Sequence, residues 1–176
     1  MKRTVKIALV VMAAISFAYC KKPTEFKEIE VDNIFSIQMP AYLHPTGDLL
    51  PVTASNIHQY EDSAGKICLM IFDTIREGFE ISTLKTFYDS MVANPVMDST
   101  RMLAPQLVKI DNDSAYQSEI TGKHNDTKLF GEMVAIASKE RFYFILSWSS
   151  LDRRDELKPD IEKMLNSFHD ISHPKK

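Results

Sequence analysis

Glycine is scarce: five residues in 176 leave few positions for a glycine-built phosphate cradle, and neither G-x-x-x-x-G-K-[ST] nor G-x-G-x-x-G occurs. Two cysteines are too few for a disulfide scaffold, and C-x-x-C is absent. H-E-x-x-H and G-x-S-x-G are missing as well, so no compact metallohydrolase or serine-hydrolase signature is present. Positive charge is in short supply: 21 Lys and Arg face 24 Asp and Glu, for a net charge of −3. Nucleic-acid binding needs a basic face to displace counterions, and this balance argues against it. What the chain does have is 44% hydrophobic residues, 10 Phe and 6 Tyr, enough to build one globular core.

Long apolar runs are limited to one. Lys2, Arg3 and Lys6 precede Ile7 to Tyr19, interrupted only by Ser16 and closed by Cys20, Lys21 and Lys22. A membrane span needs about 20 apolar residues, so residues 1–19 read instead as a secretory signal. Phe17-Ala18-Tyr19-Cys20 resembles a bacterial lipobox, with Tyr19 bulky where a small residue is usual. In that reading Cys20 is lipidated, begins the mature chain and anchors it in a membrane. Ordinary cleavage after Ser16-Phe17-Ala18 is the alternative, with small residues at both positions the general signal peptidase reads. Loss of residues 1–19 takes away three basic and no acidic side chains, so the charge moves from −3 to −6. The expected organisation is a signal at 1–19, a lipidated cysteine and tether at 20–25, one domain at 26–170, and a polar tail at 171–176. Cys68, inside Ile67-Cys68-Leu69-Met70-Ile71-Phe72, reads as a small core residue.

Period-two patterning marks strands at Phe26 to Val31, Phe35 to Met39, Ser55 to Tyr60 and Ile67 to Asp73. Four more follow near 106–111, 114–122, 127–138 and 141–149, with turns at Asn112-Asp113 and Lys139-Glu140. Leu84, Phe87, Tyr88, Met91 and Val92 repeat at helical spacing, with Ser82 or Thr83 as cap. Leu157, Ile161, Met164, Leu165 and Phe168 form a second apolar stripe, and Pro159 predicts that this helix starts near 155–158. Residues 40–54 and 95–105 lack a period and are the loops expected to carry binding.

Phe35-Ser36-Ile37-Gln38-Met39-Pro40 is similar to the opening strand of the PsbP-like fold, that of the photosystem II extrinsic protein P superfamily. Phe142-Tyr143-Phe144-Ile145-Leu146-Ser147-Trp148-Ser149 and Met164-Leu165-Asn166-Ser167-Phe168 resemble its last strand and closing helix. The resemblance implies an α+β domain in which an antiparallel sheet carries helices on both faces, an α/β/α sandwich. It also implies an accessory or binding protein, such as photosystem subunits, a Ran-binding transport factor or envelope lipoproteins. It supplies no catalytic residue.

Among chemistry-bearing residues, His169 and His173 would sit one helical turn apart beside Asp170, the spacing of a zinc pair; Pro174 and the end of the apolar stripe favour a frayed tail. Glu28, Glu30 and Asp32 lie on one face of the first strand, as an edge strand's solvated face does. Asp111-Asn112-Asp113 opens like a calcium loop but lacks the later Gly and Glu, and reads as a turn. Met91, Met97 and Met102 lack the close spacing of a Cu(I) site and read as core or apolar surface. His44, His58 and His124 are isolated. No catalytic residue, metal or cofactor is assigned. The expectation is a non-enzymatic, exported envelope lipoprotein that binds an envelope protein or apolar ligand. The alternative is a hydrolase or metal-dependent enzyme with a site dispersed in sequence, which would need a deep pocket where at least two of His44, His58, His124, Asp and Glu side chains converge.

Overall fold

The computed structural model describes residues 23–47, 49, 56–64, 67–77, 83–93 and 98–172. The segment 1–19 expected to be a signal, Cys20, Met97 and His173 lie outside these residues. Within them no helix is long and apolar enough to cross a membrane.

Among the described residues, eleven strands and two α-helices follow one another: β1 (Phe26–Val31), β2 (Phe35–Pro40), β3 (Leu43–Pro45), β4 (Ile57–Asp62), β5 (Ile67–Ile75), α1 (Leu84–Val92), β6 (Asp98–Met102), β7 (Gln106–Ile110), β8 (Asp113–His124), β9 (Thr127–Ala137), β10 (Arg141–Ser150), α2 (Arg154–Asn166) and β11 (His169–Asp170). The large sheet is antiparallel in the order β3-β4-β5-β10-β9-β8-β6, with β7 also paired to β8. A second, three-stranded sheet has the order β1-β2-β11.

This arrangement corrects the expected helix-flanked α/β/α sandwich. The two helices hold only nine and thirteen residues, and strands dominate the described chain. At a rise of about 1.5 Å per residue, α1 is too short to form a layer over so wide a sheet. The opening strands, which the resemblance placed in one antiparallel sheet with the rest, form a hairpin of their own. That hairpin and α2 together cover one face of the large sheet.

The reason lies in β2. Phe35, Ile37 and Met39 are fully buried, and they meet Leu157, Ile161, Met164 and Leu165 of α2 and Leu69, Ile71, Val134, Tyr143 and Ile145 of the large sheet in one core. On the opposite face, Phe87 and Tyr88 of α1 pack on Met70, Ile120, Phe142, Phe144 and Leu146. Strands β5 and β10 are therefore apolar on both faces and central, as their unbroken hydrophobic runs require. Cys68 is a free, buried thiol in β5.

Local chemistry sets the element ends. Thr83 caps α1 by accepting from the Thr86 amide at 3.1 Å. Asn125 and Asp126 make the two-residue β8–β9 turn with φ of 46° and 65°, a left-handed pair that Asn and Asp tolerate without glycine. Asp111, at φ 54°, starts the β7–β8 turn. A 3₁₀ turn at Leu151–Arg153 leads into α2 at Arg154, earlier than Pro159 predicts. Pro159 is thus the sixth helical residue, and the bond it cannot donate falls on the carbonyl of Asp155, whose side chain is fully exposed.

The ending differs too. The expected frayed tail from His169 onward is instead strand β11, with His169 opposite Ser36 and Asp170 opposite Phe35. The Ile171 amide then bonds to the Ile34 carbonyl at 3.0 Å.

Candidate functional site

A recess of about 360 Å³ opens where the N-terminal segment meets α2, lined by Pro23, Thr24, Tyr42, Asp62, Ile67, Arg153, Glu156, Leu157 and Asp160. Each wall has a local cause. Tyr42 is held in the turn between β2 and β3, where Ala41 donates its amide to the Glu25 carbonyl. Arg153 ends the 3₁₀ turn, and Glu156 and Asp160 follow on the first turns of α2. Thr24 donates its hydroxyl to Asp160 Oδ2 at 2.5 Å, fastening the start of the domain to the helix.

The recess contains two buried polar atoms with no hydrogen-bond partner, the Tyr42 hydroxyl oxygen and one terminal guanidinium nitrogen of Arg153. Such atoms are rare in a finished interior, because an unmade buried hydrogen bond costs about 1–3 kcal/mol. Burial together with Asp160 pushes the Tyr42 phenol up to about 12, so it stays a neutral donor. Arg153 Nε lies 3.3 Å from Glu156. The wall is thus mixed: Ile67 and Leu157 on the floor, three carboxylates and one guanidinium around it.

A second crevice, of about 270 Å³, lies between the small sheet and the β3–β4 edge. Val31, Met39, Leu43 and Tyr60 form its apolar wall, with Lys27, Glu30 and Asp32 on its rim. His58 also lines it, and beyond His58 lies a buried charge cluster. Asp73 of β5 is 1% exposed and accepts from Arg141 Nε at 3.1 Å, with a second Arg141 nitrogen on the same Oδ2. Its other oxygen faces His58 Nε2 at 3.7 Å. Burial pushes the Asp73 carboxyl up, but His58 and the Arg141 guanidinium outweigh it and hold it below the ordinary carboxylate value.

A third charge cluster joins α2 to the large sheet. Lys158 reaches Glu132 at 2.6 Å and Glu119 at 2.9 Å, and Arg154 is bidentate to Glu119. The neighbouring cavity, about 210 Å³, is shared with Leu103, Ala104 and Gln106.

The sequence candidates separate in space. His44 is exposed on edge strand β3, His124 is exposed at the end of β8, and His58 lies inside beside Asp73. His169 pairs with Asp111 at 2.7 Å, across to the β7–β8 turn. Glu28, Glu30 and Asp32 are exposed along the outer strand of the small sheet. Met91 is partly buried against the α1 core, and Met102 Sδ accepts from the Tyr88 hydroxyl. Among the described residues no three His, Cys, Asp or Glu side chains are placed to hold a metal ion. Of the two expected binding loops, Tyr42 lines the first recess and Leu103 and Ala104 the third, while residues 48, 50–54 and 95–97 lie outside the described residues. The region also holds short strands, β3 and β6, where no period is visible.

Pattern reading missed Arg153, Asp160, Asp73 and Lys158. Two of the clusters do leave a trace. Asp73 ends the apolar run of β5 and Glu132 sits inside that of β9, and a carboxylate in a central strand requires a cationic partner.

No protein-family model matches the sequence, and no curated protein does either. Solved structures do match in fold. The solution structure of cyanobacterial PsbP from Synechocystis matches with a TM-score of 0.61 at 12% identity, over 86% of this chain and 96% of that one. The Ran-binding protein Mog1p of Saccharomyces cerevisiae matches with 0.58 at 11% identity, over 85% and 97%. LpqN of Mycobacterium tuberculosis, involved in cell envelope biogenesis, matches with 0.52 at 10% identity, over 82% and 89%. The chain has a PsbP-like fold.

Proposed function

We propose that this protein is a non-enzymatic lipoprotein of the cell envelope that acts as an accessory module, binding a protein or small ligand at the Tyr42–Arg153 recess. The recess itself carries the reading: a concave site with two buried polar atoms left for an incoming partner to satisfy. Its position supports the anchor. Pro23 and Thr24 line it, so a lipid on Cys20 would hold the recess within a few residues of the membrane surface. The structural neighbours add support by analogy, since one binds Ran and another is involved in cell envelope biogenesis.

The test is a photo-crosslinking amino acid at position 42 in the native envelope, with position 126, at the tip of the β8–β9 hairpin, as control. A discrete adduct from position 42 only is expected. Identical products from both positions, with no small molecule retained in native mass spectrometry, would overturn the reading. Mass spectrometry of the mature N-terminus checks the anchor separately: an acylated Cys20 is expected, and an unmodified Tyr19 start contradicts it.

A further inference from the structure

His58 occupies an unusual junction. It belongs to β4 of the large sheet, lines the crevice beneath the β1–β2 hairpin, and meets the ring of Phe35 from β2 edge-on, with centroids 5.5 Å apart at 71°. On its other side Nε2 lies 3.7 Å from Asp73 Oδ1. That separation is too long for a hydrogen bond, and both atoms are buried with no other partner. Two orphaned polar atoms therefore face each other across a gap that a small movement would close.

We propose that His58 and Asp73 form a proton-operated clasp that tightens the β4 wall of the crevice onto the central strands when the imidazole is protonated. A neutral imidazole carries one N–H, which either ring nitrogen can hold; the imidazolium carries two, so Nε2 is then always a donor aimed at a carboxylate. Protonation satisfies both orphans at once and adds a charge-assisted bond.

The groups facing the imidazole set the balance. Asp73 of β5 attracts it, and Arg141 of β10, bound to the other oxygen of Asp73, opposes it. Tyr143 of β10 lies directly across from Asp73 in the sheet register and stays neutral, its phenol pushed up by burial and by Asp170. Across the crevice, Glu30 and Asp32 favour the cation and Lys27 disfavours it, with Tyr60 on the same strand as His58. Three carboxylates and two cations thus face the imidazole. A protonated histidine that gains a partner adds stability below its unfolded value, and that stability is lost as pH rises.

The experiment compares thermal unfolding of the wild-type chain and H58Q at pH 8.0 and 5.5. Glutamine keeps a polar group in place without titrating, and subtracting its curve removes every other ionisation. The wild-type advantage should grow by about 3–6 °C on acidification, the shift that a tenfold change in the folding equilibrium gives a domain of this size. A difference that is constant or shrinks overturns the clasp. Should H58Q not fold, proton NMR of the wild-type chain decides: the His58 Cε1–H and Arg141 Nε–H signals should titrate with a common midpoint. An Arg141 signal that ignores the His58 titration rejects the proposal.

Discussion

Phe35, at the start of β2, and Phe168, just past the end of α2, lie ring on ring, with centroids 5.4 Å apart and planes 27° from parallel. Tyr143 of β10 closes the group, edge-on to both. One aromatic cluster thus pins the small sheet, the C-terminal helix and the central strand together. Gln38 and Ser167 add a polar fastening beside it, the Gln38 amide donating to the Ser167 hydroxyl at 2.8 Å. Because Phe168 is 2% exposed, Phe168→Ala should cost about 3–5 kcal/mol in denaturant unfolding, a large fraction of the stability of an ordinary domain. Phe168→Leu should cost less than half of that, since it keeps most of the buried volume.

Gly131 of β9 is a second pinch point. A Cβ built there meets the Ser147 carbonyl oxygen at 2.5 Å, with Ile120 and Trp148 side-chain carbons at 3.2 Å. The nearest atom is backbone of a neighbouring central strand and cannot swing aside. Gly131→Ala should therefore lower stability by about 1–3 kcal/mol, the overpacking range, even though alanine suits a strand better than glycine. An unchanged midpoint would mean that β9 and β10 can separate locally.

Glu132 is 3% exposed and relies on Lys158, which is itself more accessible at 28%. Burial pushes the Lys158 amine down, but Glu132 and Glu119 outweigh it and raise its value. Removing the cation leaves a buried carboxylate without its main partner. Lys158→Met should destabilise by about 2–4 kcal/mol, toward the low end of the buried-pair range because Lys158 is partly solvated. Adding Glu132→Gln should recover part of that loss, which a double-mutant cycle would measure.

Acid should unfold the protein through three carboxyls. Asp73 is described above. At Glu119, the Arg154 hydrogen bond, helped by Lys158, outweighs burial and lowers the value. At Asp170, burial raises it, but hydrogen bonds from Ser138, Ser172 and Tyr143 prevail and lower it. A carboxyl with a depressed folded value adds stability above its unfolded value and loses it as pH falls. All three contributions should thus be complete above about pH 5 and fall away below about pH 4. Asp113 runs the other way: burial, Asp170 and Asp111 raise it, so its share is lost as pH rises. Chemical denaturation from pH 7 to 3 should show the fall, and Glu119→Gln should make it shallower.

The strands of the second half were legible as a series because polar turn residues stand between alternating runs: Asn112-Asp113 marks the reversal from β7 to β8, and Lys139-Glu140 that from β9 to β10. Thr83 was readable as a cap for the same local reason. The opening hairpin was readable as strands but not as a separate sheet. Its burial depends on α2 and Phe168, far away in sequence, and alternation reports a buried face without saying what buries it. Tyr42, Arg153 and Asp160 were invisible as a site for the same reason: each is an ordinary residue until the chain brings the β2–β3 turn against α2. Pro159 misled outright, since solvent at the exposed Asp155 end lets α2 carry it beyond the first turn.

Thiol counting connects the fold to the fate of Cys20. The sequence holds two cysteines, and Cys68 is buried in β5, its thiol pushed up to about 12 by burial, with Glu61 and Asp62 adding to the effect. A thiol held that high carries almost no thiolate at neutral pH and should react slowly with a disulfide reagent in the native state. Denaturant should expose it at once. If Cys20 is acylated, the mature protein from its native host should then titrate one thiol per chain, none of it fast beforehand. If cleavage follows Ala18 and Cys20 stays free, the count should rise to two, with one reacting before unfolding. A Cys68 thiol that reacts rapidly in the folded protein would contradict its burial under the β4–β5 pairing and would open that strand pair to question.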